Sequence, residues 1–142
     1  PISTIGKKCE AAGLKLLYHN HDFEYKNNED GIKPIVYLLE NTDPKYVNFQ
    51  MDLYWVTRAE ADPVSYFEKY PGRFKLWHVK DMDEEGKFAP VGEGTIDFKR
   101  ILDKKDISGM EKYFVEQDMT WDKKPLEVIK ISHKGLKEIG FK

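Results

Sequence analysis

Apolar positions along the chain fall into short runs divided by polar, glycine- and proline-bearing breaks, and their period alternates between helical and extended. Ile2, Ile5, Cys9 and Ala12 recur at helical spacing, which predicts a helix over 2–12 with Ser3 or Thr4 as its cap and Gly13 closing it. Leu14 to His19 reads as a strand, and the polar stretch from Asp22 to Lys33 as a loop. Pro34 opens a short helix to about Asn41, followed by a strand over Val47–Met51. Asp62-Pro63 supplies the cap and first turn of a helix through Tyr70, which Pro71-Gly72 ends. Phe74–Val79 is apolar at nearly every position and reads as a strand buried on both faces. A long charged segment, Asp81 to Gly94, precedes a helix from Ile96 to about Leu102 that Thr95 is placed to cap. Tyr113–Glu116 is dense in β-formers, and Pro125 starts a last helix whose Leu126, Ile129, Leu136 and Ile139 share one face before Gly140.

Repeated alternation of strand and helix predicts a parallel sheet of right-handed βα units. Ligands of such sheets bind at the carboxyl ends of the strands. Each predicted strand ends in polar groups: Tyr18-His19-Asn20-His21-Asp22-Phe23-Glu24, then Met51-Asp52, then His78-Val79-Lys80-Asp81, then Glu116-Gln117-Asp118.

Composition narrows the classes. With 142 residues the chain is long enough to bury a core. Its 23 basic and 25 acidic residues leave no charge excess to attract nucleic acid or an anionic membrane surface. No apolar run has the ~20 residues of a membrane span, and the polar start does not resemble a signal peptide. The single cysteine, Cys9, excludes an internal disulfide, reads as packing, and fits a reducing, cytoplasmic setting. The opening at Pro1 reads as a processed or truncated product.

Singly, each strand-end residue has a plain explanation. A lone Asp52 is an ordinary helix cap, and a lone His78 in an apolar strand is ordinarily a hydrogen-bonded core residue. Glu116 after Tyr113-Phe114-Val115 fits solvent exposure less well. Together, an Asp, a His and a Glu on separate strand ends form a mixed nitrogen and oxygen donor set for a divalent metal with an open position. His19 and His21, two positions apart, would point to one face, with Asn20 turned toward the helices. If His19 is a ligand, His21 is left as a general base near neutral pH. The alternative pairs both histidines with Asp22 or Glu24 in a loop. Val91-Gly92-Glu93-Gly94 lacks both the P-loop lysine and the dinucleotide glycine spacing, and reads as a turn before a helix.

In order along the chain, Tyr-His-Asn-His-Asp-Phe-Glu (18–24), Met-Asp-Leu-Tyr-Trp (51–55), His-Val-Lys-Asp (78–81), Gly-Glu-Gly-Thr-Ile-Asp-Phe (92–98) and Val-Glu-Gln-Asp (115–118) resemble the sugar phosphate isomerase/epimerase family. That family has a xylose isomerase-like TIM barrel. The resemblance runs through nearly the whole chain but covers only the C-terminal half of a (β/α)8 barrel of roughly 250 residues. It implies an α/β fold of alternating units forming about half a barrel, with residues 1–142 as a single domain. It also implies a divalent metal, manganese, cobalt, magnesium or zinc, held by Asp52, His78 and Glu116. The fourth ligand slot usually carries a glutamate; here it holds His19, with Glu24 as a second candidate, and His21 matches a downstream histidine. By the same resemblance Glu116 and His21 pass a proton, and Lys80 neutralises an oxyanion or grips a substrate oxygen. Trp55 and Trp77 offer apolar faces to a sugar ring, and Asp81 is a further substrate contact.

The expected activity is that of a metal-dependent sugar, sugar phosphate or cyclitol isomerase or epimerase, or a related lyase or dehydratase. A non-catalytic carbohydrate-binding remnant is the alternative of another class. An endonuclease acting at abasic DNA sites shares the wider fold, but the balanced charge disfavours it. The expected partners are a small-molecule sugar and, because half a barrel leaves two sheet edges open, either a second copy or a missing N-terminal half. Neither a nucleic acid nor a membrane is expected.

Overall fold

A computed structural model describes residues 1–142. In chain order, α1 (Ile2–Ala11) leads to β1 (Leu16–His19), a single 3-10 turn at Phe23–Tyr25, α2 (Pro34–Asn41), β2 (Val47–Asp52), α3 (Leu53–Arg58) and α4 (Pro63–Lys69). β3 (Phe74–Val79) is followed by the short β4 (Asp81–Met82) and β5 (Phe88–Ala89), then α5 (Phe98–Leu102), α6 (Lys105–Ser108), β6 (Lys112–Val115) and α7 (Pro125–Ile139). The main sheet is parallel in the order β1-β2-β3-β6, as the alternation predicted, while β4 and β5 form a separate antiparallel hairpin. One side of β1 and one side of β6 have no strand beside them.

Strand parity explains both the core and the site. Asp52 pairs with His78, His78 with Phe114, and His19 with Gln50, so these positions share one face of the sheet. Glu116 lies two residues beyond Phe114 and follows the same parity. The opposite face carries Phe49, Met51, Trp77 and Val79, all buried against Ile35, Leu39, Val56, Phe67, Phe98 and Ile101 of the helix layer. The core therefore lies on one side of the sheet. β3 is not buried on both faces as expected, because Leu76 and His78 on the inner face remain partly exposed. A register shift lets Phe74 pair with Phe49 while Leu76 pairs with Gln50, so Phe74 and Trp77, three positions apart, both reach the helix layer.

Several predicted boundaries moved. β1 begins at Leu16, and Leu14 is exposed. No side chain caps α1; the Ser3 hydroxyl accepts instead from the Asp43 amide. Asp97 rather than Thr95 caps α5, accepting from Arg100 N at 3.0 Å, while the Thr95 hydroxyl donates to the Met82 carbonyl. Asp62 caps α4 as expected and also holds Arg100 through both carboxylate oxygens at 2.8 and 2.9 Å. The apolar stripe assigned to α7 is only partly buried: Val128, Ser132, Gly135 and Leu136 face inward, whereas Leu126 and Ile129 are exposed. A close approach sets this rotation, since a Cβ on Gly135 would sit 2.0 Å from the Val91 carbonyl oxygen, and Ser132 accepts the Val91 amide. No helix is long and apolar enough to cross a membrane.

Candidate metal centre

At the carboxyl end of the sheet, ligand atoms of His19, Asp52 and His78 come within 4.8 Å of one another. His19 closes β1, with its ring 4.6 Å from that of His78 and 5.1 Å from that of His21. Asp52 ends β2 and has two tasks. Its Oδ1 accepts the Trp55 amide at 3.1 Å, capping α3, while its Oδ2 lies 3.1 Å from Lys80 Nζ and 3.6 Å from His78 Nδ1. One oxygen of this aspartate thus caps α3, and the other faces Lys80 and His78.

Lys80 follows β3 and is almost wholly buried. Its ammonium lies 2.8 Å from Glu116 Oε2, 2.9 Å from Asp118 Oδ2 and 3.1 Å from Asp52 Oδ2. Burial works to lower its pKa, but the Asp52 charge and the contacts with Glu116 and Asp118 outweigh it and hold the pKa above its ordinary value. Glu116 Oε2 also lies 2.9 Å from His78 Nδ1. Burial would raise the Glu116 pKa, yet Lys80, with a smaller part from His78, brings it below the ordinary range, so this carboxylate is ionised at neutral pH. Burial, reinforced by His78, lowers the His19 pKa and keeps its imidazole neutral, the form that coordinates metals.

His19 Nδ1, Asp52 Oδ2 and His78 Nδ1 are buried without a well-formed hydrogen bond, although Asp52 Oδ2 has Lys80 Nζ at 3.1 Å and His78 Nδ1 has Glu116 Oε2 at 2.9 Å. Buried polar atoms without partners are rare, and each costs about 1–3 kcal/mol. Within the trio, His19 Nδ1 has neither a hydrogen bond nor an ion pair, while the Asp52 and His78 atoms are held by charged neighbours alone. Two imidazoles and a carboxylate suit a divalent cation of intermediate softness, so the residues present fit a metal.

Around the trio, Trp55 packs 5.4 Å from the His21 ring and 5.8 Å from Phe88, with Lys80 Nζ 5.8 Å from its ring centroid. His21 itself is exposed. Three residues singled out from the sequence lie elsewhere. Trp77 is buried on the helix face, stacked on Phe67 at 5.3 Å and donating its Nε1–H to Ser108 Oγ, so it offers no face to a ligand. Asp81 is buried too, its carboxylate accepting the Met82 and Ile96 amides on Oδ1 and those of Gly92 and Gly94 on Oδ2. Burial pushes the Asp81 pKa up against the pull of those amides. The Gly-rich turn is therefore an internal carboxylate cradle, and a Cβ on Gly94 would meet Asp81 Oδ1 at 2.2 Å. Glu24 is buried in the 3-10 turn and accepts from Tyr18 OH at 2.8 Å and from His21 N at 2.9 Å, outside the trio. Asn20 is buried, and its amide joins the ends of β1 and β2. Sequence reasoning overlooked Asp118 as a partner of Lys80, though its place two residues beyond Glu116 is the same parity signal.

A family model of xylose isomerase-like TIM barrels matches residues 2–139. The chain belongs to this family. It is 29% identical to an inosose dehydratase of Salmonella typhimurium over 71% of this chain and 38% of that one. A match to the inosose dehydratase of Lactiplantibacillus plantarum, at 28% identity, covers 96% and 51%. Among solved structures, a sugar phosphate isomerase/epimerase from Parabacteroides distasonis superposes with a TM-score of 0.84 at 30% identity, covering 96% of this chain and 49% of that one. This xylose isomerase-like chain thus spans about half the length of relatives it matches and forms part of a barrel.

Proposed function

We propose that this xylose isomerase-like half barrel carries the metal corner of an enzyme that removes a proton from a carbon next to a carbonyl in a sugar or cyclitol. The observation that carries this reading is the convergence of buried ligand atoms of His19, Asp52 and His78 within 4.8 Å of one another, beside an ionised Glu116. A divalent cation held by His19, Asp52 and His78, with Glu116 beside them, would polarise a bound carbonyl or hydroxyl oxygen as a Lewis acid. Glu116 is the base: its carboxylate takes the proton as the C–H electron pair moves toward the carbonyl. His21, exposed at the rim, accepts or returns that proton. Return to the neighbouring carbon, or to the opposite face of the same one, gives an isomer or epimer. Departure of a β-hydroxyl as water gives a dehydratase, the activity named for the curated relatives.

Lys80 offsets part of the negative charge of the acidic cluster, and its contacts with three carboxylates favour that role over a grip on substrate. Trp55 and Phe88 supply the apolar wall against which a sugar ring would lie. The unpaired edges of β1 and β6, and the relatives' doubled length, support a complete site in which a further half barrel, an N-terminal half or a second copy, closes the sheet.

The test is proton exchange in D2O over a panel of ketoses and inososes, with and without added cobalt or manganese. Deuterium incorporation that requires metal and falls at least ~100-fold in Glu116→Gln is the expected result. Undiminished exchange in Glu116→Gln removes Glu116 from the role of base.

A further inference from the structure

The His19-Asn20-His21 segment leaves the sheet before its third residue, and two buried polar side chains hold it. Asn20 is 2% exposed. Its Oδ1 accepts the backbone N–H of Asp52 at 3.0 Å, and its Nδ2 donates to the carbonyl of His21 at 3.1 Å. Glu24, 1% exposed, accepts the backbone N–H of His21 at 2.9 Å and the Tyr18 hydroxyl at 2.8 Å. The His21 peptide is thus gripped on both sides, its N–H by Glu24 and its C=O by Asn20. Asn20 also reaches across to the residue that ends β2. The last registered pair of β1 and β2 is His19 with Gln50, two residues short of Asp52, so no β1–β2 pairing reaches Asp52 itself. The Asn20 side chain takes over where the ladder stops.

We propose that Asn20 and Glu24 are positioning residues of the metal corner: Asn20 sets the separation of His19 from Asp52, and Glu24 fixes the turn that carries His21. The inference rests on the metal reading above and goes beyond it, because neither residue offers an atom to the trio. A merely structural clip would lower stability alone. A positioning residue also changes how tightly the trio binds an ion in molecules that remain folded, and outer-shell partners of metal ligands typically contribute 10–100-fold in affinity.

The experiment titrates the protein with Co2+ and follows its visible absorption, well below the Tm of every variant. Asn20→Ala and Glu24→Ala are each expected to weaken Co2+ binding by about 10–100-fold. Glu24→Gln, which keeps a carbonyl acceptor for the His21 amide, is expected to recover most of that loss. Asp62→Ala, which removes the α4 cap and the Arg100 pair away from the trio, should lower Tm and leave Co2+ affinity unchanged. Wild-type affinity in folded Asn20→Ala or Glu24→Ala overturns the positioning role. Absence of Co2+ binding by the unaltered protein overturns the metal reading itself, which separates the two failures.

Discussion

Replacing Lys80 by Met tests the electrostatics of the site with little change in side-chain volume. In the native fold the ammonium lies within 3.1 Å of three carboxylates, of which Asp52 is fully buried while Glu116 and Asp118 keep 43% and 38% of their side-chain surface exposed. Glu116 and Asp118 can turn to water when the cation is gone, so each pairing is worth about 0–1 kcal/mol. Asp52 cannot turn away, because its Oδ1 is held as the cap of α3. Breaking a buried pair by removing one partner costs roughly 3–5 kcal/mol. Crediting water access on one side of the cluster places Lys80→Met near the lower end, about 3 kcal/mol. For a chain of 142 residues that corresponds to a fall in Tm of about 10 °C.

The assay is urea denaturation at pH 7 followed by circular dichroism, with the slope against denaturant unchanged. Added Co2+ should shrink the deficit, since a cation beside Asp52 restores compensating charge. A loss under about 0.5 kcal/mol, the ordinary size of a surface substitution, would refute the claim that Lys80 neutralises the buried carboxylate. The same linkage gives a pH dependence. The folded pKa of Lys80 lies above the ordinary 10.5, so its stabilisation is intact below pH 10.5 and is lost as the pH rises through the folded value. The unaltered protein should therefore lose more stability above pH 10.5 than Lys80→Met does, and equal losses in alkaline denaturation would contradict this.

Other substitutions separate the core from the site. Trp77→Ala removes a fully buried ring stacked on Phe67 and should cost about 3–5 kcal/mol by denaturation while leaving Co2+ affinity intact; weakened binding would return Trp77 to the site. Gly94→Ala drives a methyl group to 2.2 Å from Asp81 Oδ1 and 2.6 Å from the Met82 carbonyl oxygen. It should cost about 1–3 kcal/mol and expose residues 82–89 to faster proteolysis, and a variant as resistant as the parent would show that the cradle yields freely. His19→Glu replaces an imidazole by a carboxylate and should shift relative affinity from Zn2+ and Co2+ toward Mn2+ and Mg2+ in competition titrations; an unchanged ranking would exclude His19 from the donor set.

The sequence made the strand ends legible because parallel strands in an α/β layer alternate faces and carry chemistry at their carboxyl ends, so Asp52 and His78 could be placed from spacing alone. The same rule should have excluded Trp77, which neighbours His78 and must point the other way. Its richness in apolar area drew it into the sugar-binding reading when the helix layer was its proper partner. The role of Asp81 is hidden in the sequence for a different reason: its four amide donors lie on Met82, Gly92, Gly94 and Ile96, and only folding shows that the glycine turn closes on it. The short α3, α6 and the β4–β5 hairpin have too few residues to display a period, and each is set by tertiary contacts such as Tyr54 OH and Arg58 donating to the Gly86 carbonyl. The bond between Asn20 and the Asp52 amide is not legible in the sequence, because β1 ends one residue before Asn20 and strand alternation names no partner beyond that point.

X-ray anomalous diffraction at the metal edge, on crystals of the protein soaked in Co2+, examines the central claim without depending on any substrate. The account requires a peak bonded to His19, Asp52 and His78, with Glu116 beside it. A peak bonded to other residues, or none at a concentration that saturates the Co2+ titration, would contradict the assignment of this strand-end cluster as a metal centre.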